Sequence, residues 1–315
     1  MLGSTSANAD GCTMSLHGLV KIFLNYKQLS DMKKIVLFIS LLAFSFQDLN
    51  AGNIIYTSND SIRAEKIMRE AASQPAGTNT IVCIGRKLLG VPYVAQTLEK
   101  GKTESLVINT TQLDCTTFVE NVLAMYLCVK DKKTRFADFC NNIRQIRYAA
   151  GKVDYPSRLH YFSTWIEDNS AKGLVKEVSA PNPPFTATQT IKANFMSTHS
   201  DRYPMLKGNA AYLKKIVKAE KAVSGKTVRY IPTSMLNKSK LLRRAVKDGD
   251  ILALVTKKAG LEISHVGYAV WHKDGKLHLM NASSLEHKVI DDKVSLYDYM
   301  KKHPSNLGIR VVRVK

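Results

Sequence analysis

Cys115 stands where a thiol could become a nucleophile. It follows Asp114, a residue type that caps helix N-termini. After it, Phe118, Val119, Val122, Leu123 and Tyr126 keep the spacing of one apolar helix face. The spacing predicts a helix whose first residue is Cys115. There the partial positive charge of the helix N-terminus and the unpaired amides of the first turn favour the thiolate, the form that attacks carbonyl carbon. A free cysteine packed at a helix start accounts for this stretch equally well, so a nucleophile must find its partners elsewhere in the chain.

Such a partner is a base, normally histidine, held by a third polar group. Of eight histidines, His265 stands out, in the strand-like run Ile263-Ser264-His265-Val266-Gly267-Tyr268-Ala269-Val270-Trp271. Small Gly267 and Ala269 alternate on its own face, which leaves room for a helix end or a substrate. A sheet histidine satisfied by a neighbour is the plainer alternative. Lys273-Asp274-Gly275, read as a three-residue hairpin loop with Gly275 left-handed, pairs His272 with Lys276. Gly267 then lies opposite Asn281 and His265 opposite Ser283, which puts Asn281 diagonally beside the His265 ring. A two-residue Asp274-Gly275 loop would turn Asn281 to the other face.

The elements that would carry these residues follow an α+β order. Helical patterns run from about 59 to 76, from Asn79 to Leu89 with Gly90 as the stop, through the Cys115 segment, and over 134–149. Leu106-Val107-Ile108-Asn109 reads as a short strand. Residues 150–245 are less regular and form an insertion. They hold the aromatic run Ser157-Arg158-Leu159-His160-Tyr161-Phe162-Ser163-Thr164-Trp165-Ile166, a loop at Pro181-Asn182-Pro183-Pro184 and a lysine-rich stretch read as a solvated face. The last third turns to strands over 251–256, 263–271, 276–282 and 307–314.

Residues 1–31 are patternless and read as an extension outside the fold. Met32-Lys33-Lys34, the apolar run Ile35 to Phe46 and the small residue Ala51 form a signal peptide over 32–51. Its apolar run of about twelve residues is too short to span a bilayer, which takes roughly 20. Met32 is then the expected start, and no Cys stands directly after the cleavage site to take a lipid anchor. The expectation is an exported chain, periplasmic or secreted, with one domain over 52–315 and no stable membrane anchor.

Formal net charge is +20, with 45% hydrophobic and 23% charged residues. An anionic partner suits that charge, and no zinc finger, RNP motif or basic-aromatic stripe points to nucleic acid. The five cysteines, at 12, 83, 115, 128 and 140, include no CxxC pair and no Cys/His cluster at zinc spacing, so neither a metal nor a cofactor is expected. Cys83, Cys128 and Cys140 read as buried thiols.

Leu113-Asp114-Cys115-Thr116-Thr117-Phe118-Val119-Glu120, Asp248-Gly249-Asp250-Ile251 and Ile263-Ser264-His265-Val266-Gly267 together resemble papain-like cell-wall cysteine hydrolases of the NlpC type. Within that group they are similar to the N-acetylmuramoyl-L-alanine amidase-like branch, as are Gly90-Val91-Pro92-Tyr93-Val94-Ala95, Arg158-Leu159-His160-Tyr161-Phe162 and Asn194-Phe195-Met196. The resemblance spans roughly residues 60 to 315. It implies a papain-like fold with helices first and an antiparallel sheet after. It also implies a catalytic Cys115, His265 and Asn281, although many members carry His where Asn281 stands. The implied substrate is a peptidoglycan fragment cut at the amide between N-acetylmuramic acid and L-alanine. A γ-D-glutamyl–diamino acid endopeptidase and a non-catalytic cell-wall binding module are the alternatives. Tyr93, Asp114, Arg158 and His160 are the candidates for touching substrate, Arg158 and His160 through stem-peptide carboxylates.

Overall fold

Side-chain caps set the helix starts. Thr57 and Asp60 form a reciprocal capping box, Asn79 accepts from the Val82 amide, and Asp114 forms a second box with Thr117. The computed structural model describes residues 54–99 and 101–315, so the expected extension and signal peptide lie outside the described residues. In chain order the elements are β1 (Ile54–Ile55), α1 (Ser58–Ala72), α2 (Thr80–Lys87), β2 (Leu106–Val107), α3 (Cys115–Lys130), α4 (Phe136–Arg147), α5 (Phe162–Ala171), β3 (Val175–Val178), β4 (Ala187–Thr190), α6 (Phe195–Thr198) and α7 (Ala210–Val223). Then come β5 (Thr227–Pro232), α8 (Ser239–Leu242), β6 (Ile251–Thr256), β7 (Ile263–Trp271), β8 (Leu277–Ser283), β9 (Lys288–Asp291), α9 (Leu296–Lys302) and β10 (Asn306–Val314). Among the described residues no helix is long and apolar enough to cross a membrane.

The fold is mixed α+β. Its main sheet is antiparallel, in the order β4-β5-β10-β6-β7-β8-β9, with β3 also pairing along β10. Strands β3, β4 and β5 come from the stretch expected to be an insertion. They are short and partly exposed, so they carry little of the apolar alternation that marks a strand. Two of them, β3 and β5, pair directly with β10 and so belong to the sheet.

Both sheet faces are covered. Ile251, Ala253, Val266, Tyr268 and Val270 pack with residues of α1 to α5 in one core. The alternate residues Leu252, Leu254 and Ala269 pack with Leu279, Val311 and the α9 residues Leu296 and Met300 in a second. That double burial explains why β6 reads as a continuous apolar run. A third cluster, around Tyr155, Tyr161, Met196 and Ile216, roofs the middle of the chain. Lysines 214, 215, 218 and 221 on α7 are exposed and solvated.

Candidate active site

The approach to α3 is pinned before the helix begins. Tyr93 and Leu113 form a parallel bridge, and the Val94 amide donates to the Leu113 carbonyl at 3.0 Å. Asp114 Oδ1 then accepts from the Thr117 amide and hydroxyl, both at 2.8 Å, and the Asp114 amide donates to Thr117 Oγ1 at 2.9 Å. Asp114, a candidate substrate contact, thus spends one carboxylate oxygen on the cap. The Cys115 and Thr116 amides have no protein acceptor among the described residues, as expected in the first turn. Cys115 is half-buried with a free thiol. Cys128 and Cys140 are buried, and burial pushes both thiols up to about 12, which leaves them inert. Cys83 is also free but only half-buried, against the buried position expected for it.

His265 lines the same cleft as Cys115, whose charge acts on its ring. On its other side, Nε2 lies 2.8 Å from Asn281 Oδ1. Asn281 is buried, and its Nδ2 donates to the Leu279 carbonyl at 3.2 Å, so the oxygen is the atom turned to the ring. Nε2 therefore carries a hydrogen, and Nδ1 is left for the thiol. Burial by itself pulls the ring toward its neutral form. Against it, the Cys115 charge, the Asn281 bond and the Asp114 charge hold the His265 pKa above the usual imidazole value.

Backbone register creates this neighbourhood. Trp271 pairs with Leu277 and Tyr268 with Met280, and the His272 amide donates to the Lys276 carbonyl, so the hairpin closes through three residues with Gly275 at φ +75°. That register carries Gly267 opposite Asn281. The space at Gly267 itself is taken by β8, because a Cβ at 267 would lie 2.8 Å from Asn281 Cβ, 2.7 Å from the Met280 carbonyl oxygen and 2.9 Å from Leu279 Cδ1. Glycine here makes room for the asparagine rather than for substrate. A feature with no sequence signal sits one residue away. His265 pairs with Leu254 but Ile263 pairs with Val255, so Ser264 is an extra residue, a β-bulge. Its hydroxyl donates to Asn306 Oδ1 at 2.7 Å.

A cleft of about 250 Å³ opens beside the pair, lined by Cys115, Thr116 and His265 on one side and by Leu159 to Phe162, Trp165, Phe195, Met196 and Tyr203 on the other. The aromatic wall comes from the irregular middle of the chain. Its sequence signals were the density of aromatics around 159–166 and the Asn194-Phe195-Met196 piece of the family resemblance, and Tyr203 had none. Tyr161 holds part of the wall together, donating to Glu220 Oε1 at 2.8 Å and accepting from the Met196 amide at 3.2 Å. Beside it Glu262, buried, accepts from the Ser163 amide at 2.7 Å and pairs with Arg310.

The remaining candidates divide. Tyr93 lies close enough for its phenol to be pushed up to about 12, by burial first and then by the charges of Cys115 and Asp114, so it stays a neutral donor. His160 lines the cleft, but burial and the neighbouring Arg158 push it down to about 3. It stays neutral and lacks the charge expected to hold a carboxylate. Arg158 does not line the cleft. Its guanidinium is ion-paired with Glu99 and Glu104 and sits 4.8 Å from the Tyr155 ring centroid, so its charge is already spent. Among the described residues no group of three or more His, Cys, Asp or Glu could hold a metal ion.

The mixed α+β domain thus brings a thiol and an imidazole to one aromatic-walled cleft with an amide behind the ring, groups of the kind that acyl transfer uses. The chain belongs to the AmiA-like family, N-acetylmuramoyl-L-alanine amidase-like, whose pattern it matches over residues 83–309. Among solved structures it is similar to an N-acetylmuramoyl-L-alanine amidase from Bacteroides uniformis, at 36% identity and TM-score 0.67, over 80% of this chain and 99% of that one. A Bacteroides fragilis protein provisionally named a xylanase is 43% identical, with TM-score 0.67, over 73% of this chain and 98% of that one. A Legionella pneumophila protein at 23% identity and TM-score 0.59, covering 81% and 94%, shares the fold. No curated protein matches the chain.

Proposed function

We propose that the chain is an exported cysteine amidohydrolase that cuts peptidoglycan fragments at the amide between N-acetylmuramic acid and L-alanine. The observation that carries this reading is that Cys115 and His265 share one cleft, the Cys115 charge helping to hold the His265 pKa up while Asn281 Oδ1 lies 2.8 Å from its Nε2. The Cys115 thiolate attacks the amide carbonyl carbon. His265, as imidazolium, gives its proton to the leaving nitrogen as the C–N bond breaks, and a thioester remains. Water then attacks the thioester, His265 takes its proton, and the C–S bond breaks to release the acid and restore the thiolate. The Cys115 amide, unpaired in the first turn, faces the developing oxyanion, and the neutral Tyr93 phenol is a second donor.

A nucleophile at a helix start, a base on a following strand and an orienting amide on the next one support a papain-like, NlpC-type assignment. The family name and the Bacteroides uniformis relative support the muramoyl–alanine bond. Xylan hydrolysis fits poorly. It calls for two carboxylates flanking the scissile bond, and the cleft offers one, Glu262, which is tied to Ser163 and Arg310. The signal-like segment over 32–51 supports export.

Muropeptides incubated with the wild type and with Cys115→Ala, followed by mass spectrometry of the products, test the reading. Intact free stem peptide from the wild type alone is expected. A shortened stem would make the chain an endopeptidase. No Cys115-dependent product would remove both hydrolytic readings and leave a binding module.

A further inference from the structure

Helix α7 presents a face of one sign. From Met205 to Lys247 the only acidic residue is Glu220, and every Lys and Arg in that stretch is exposed. Glu220 does not answer them. It is buried on the inner side of α7, where its carboxylate accepts from the Tyr161 hydroxyl at 2.8 Å and from the Ser197 amide at 3.0 Å. Lys214, Lys218 and Lys221 follow one another at four and three residues, and Lys215 stands three before Lys218. All four therefore share one side of the helix, within about 10 Å along its axis. Like charges at these spacings repel. On α1, by contrast, exposed cations are matched on their own helix, Arg69 by Glu65 at 3.0 Å and Lys66 by Glu70 at 4.0 Å. Among the described residues none of the four α7 lysines has an ion pair, and Lys215 alone lies over a ring, that of Tyr212 at 5.9 Å. Lys192, also exposed, adjoins the end of α7 through the hydrogen bond from the Gly225 amide to the Ile191 carbonyl.

This side of α7 is separate from the cleft, to which no residue of the helix contributes. The opposite side is occupied, since Ile216 and Val223 are buried with Tyr155 and Tyr161 in the third core cluster. The helix thus has no free apolar edge to sink into a bilayer. Nor does any of the large apolar side chains exposed among the described residues lie between 205 and 247. A hydrated polyanion fits better, because flexible ammonium groups in a row meet a row of carboxylates without burying either. In peptidoglycan the stem peptides carry such carboxylates, repeated along the glycan strand.

We propose that the lysine face of α7 is a docking surface for the carboxylates of the wall polymer, distinct from the cleft, and that it holds the protein beside the wall from which its substrate fragments are shed. The identity of the polymer rests on the peptidoglycan reading given above. Binding of this kind is electrostatic and weakens as salt is added.

Sedimentation with isolated peptidoglycan sacculi tests this, using full-length Cys115→Ala so that turnover cannot erode the polymer. The protein is expected to pellet with sacculi at low ionic strength, to be released by salt, and to ignore sacculi whose carboxyl groups have been methyl-esterified. K214Q/K215Q/K218Q/K221Q on the same background weakens binding about tenfold, the combined size of four exposed ion pairs. Arginine at the same four positions retains it. K238Q/K240Q/R244Q/K247Q removes as much exposed charge elsewhere and leaves binding within about twofold. Equal losses in the two glutamine variants would make net charge the cause and overturn the proposal. Binding to phosphatidylglycerol vesicles but not to sacculi would overturn it in favour of a membrane surface. With Cys115 intact, the α7 glutamine variant is expected to cleave soluble muropeptides with unchanged kcat/KM. Loss of sacculus binding leaves Cys115-dependent release of stem peptide standing, and absence of that release removes the amidase reading while the sacculus measurement stands by itself.

Discussion

Burial pulls His265 toward neutral imidazole, yet the Cys115 charge, with Asn281 behind the ring, holds its pKa above the ordinary value. A raised folded-state value stabilises the fold fully below the unfolded pKa of about 6.5, and that contribution is lost as pH rises through the folded value. In the proposed mechanism the same proton is the one handed to the leaving amine, so the alkaline limb of kcat/KM reports it. Replacing Asn281 by Ala removes one of the supports. The alkaline limb is expected to move to lower pH, with kcat down by about 10²-fold or more, because a ring free to rotate no longer presents Nδ1 to the thiol. A pH–rate profile checks both effects. An unchanged limb would mean that Asn281 does not act on the His265 proton.

At the scale of the element, strand β7 carries the argument for position. Its bulge at Ser264 and its glycine at 267 bracket His265, one changing the register against β6 and the other letting Asn281 lie against the backbone. Gly267→Ala puts a methyl group within 2.8 Å of Asn281 Cβ and 2.7 Å of the Met280 carbonyl oxygen, contacts that β8 relieves only by moving away. The expected cost is about 1–3 kcal/mol of stability, seen in urea denaturation. Activity at temperatures where the variant stays folded should fall further than Ala269→Gly, which leaves Asn281 in place. Helix α3 was legible from its cap and its apolar spacing, since both are local. The bulge was not, because it arises only where β6 imposes its own register on β7.

For the whole molecule, buried charge ties the segments around the cleft together. Arg158 binds Glu99 and Glu104, more than fifty residues away in sequence, and Arg310 on β10 binds Glu177 beside β10 and Glu262 at the cleft. The pairing of Arg158 explains why a sequence that suggests a free cation beside an aromatic run gives none. Its partners lie in a loop with no pattern of its own, and only folding brings them into reach. Arg158→Ala leaves two largely buried carboxylates without their cation, so a loss of about 3–5 kcal/mol is expected. Chemical denaturation checks that loss, and KM measured well below the melting temperature should change little. A raised KM with unchanged stability would return Arg158 to substrate binding.

Short-range rules were enough for the Cys115 helix start, with its Asp114 cap, because a cap depends on a few adjacent residues. For the hairpin after Trp271 they left a loop of two residues or three, and the pairing of β7 with β8 gives the three-residue Lys273-Asp274-Gly275 loop that sets Asn281 beside His265. The meeting of His265 with Cys115, the neutral state of His160, the commitment of Arg158 and the aromatic cleft came only with the tertiary structure. Each depends on groups that are distant in sequence, and their burial and charge balance exist only once the chain has closed around them.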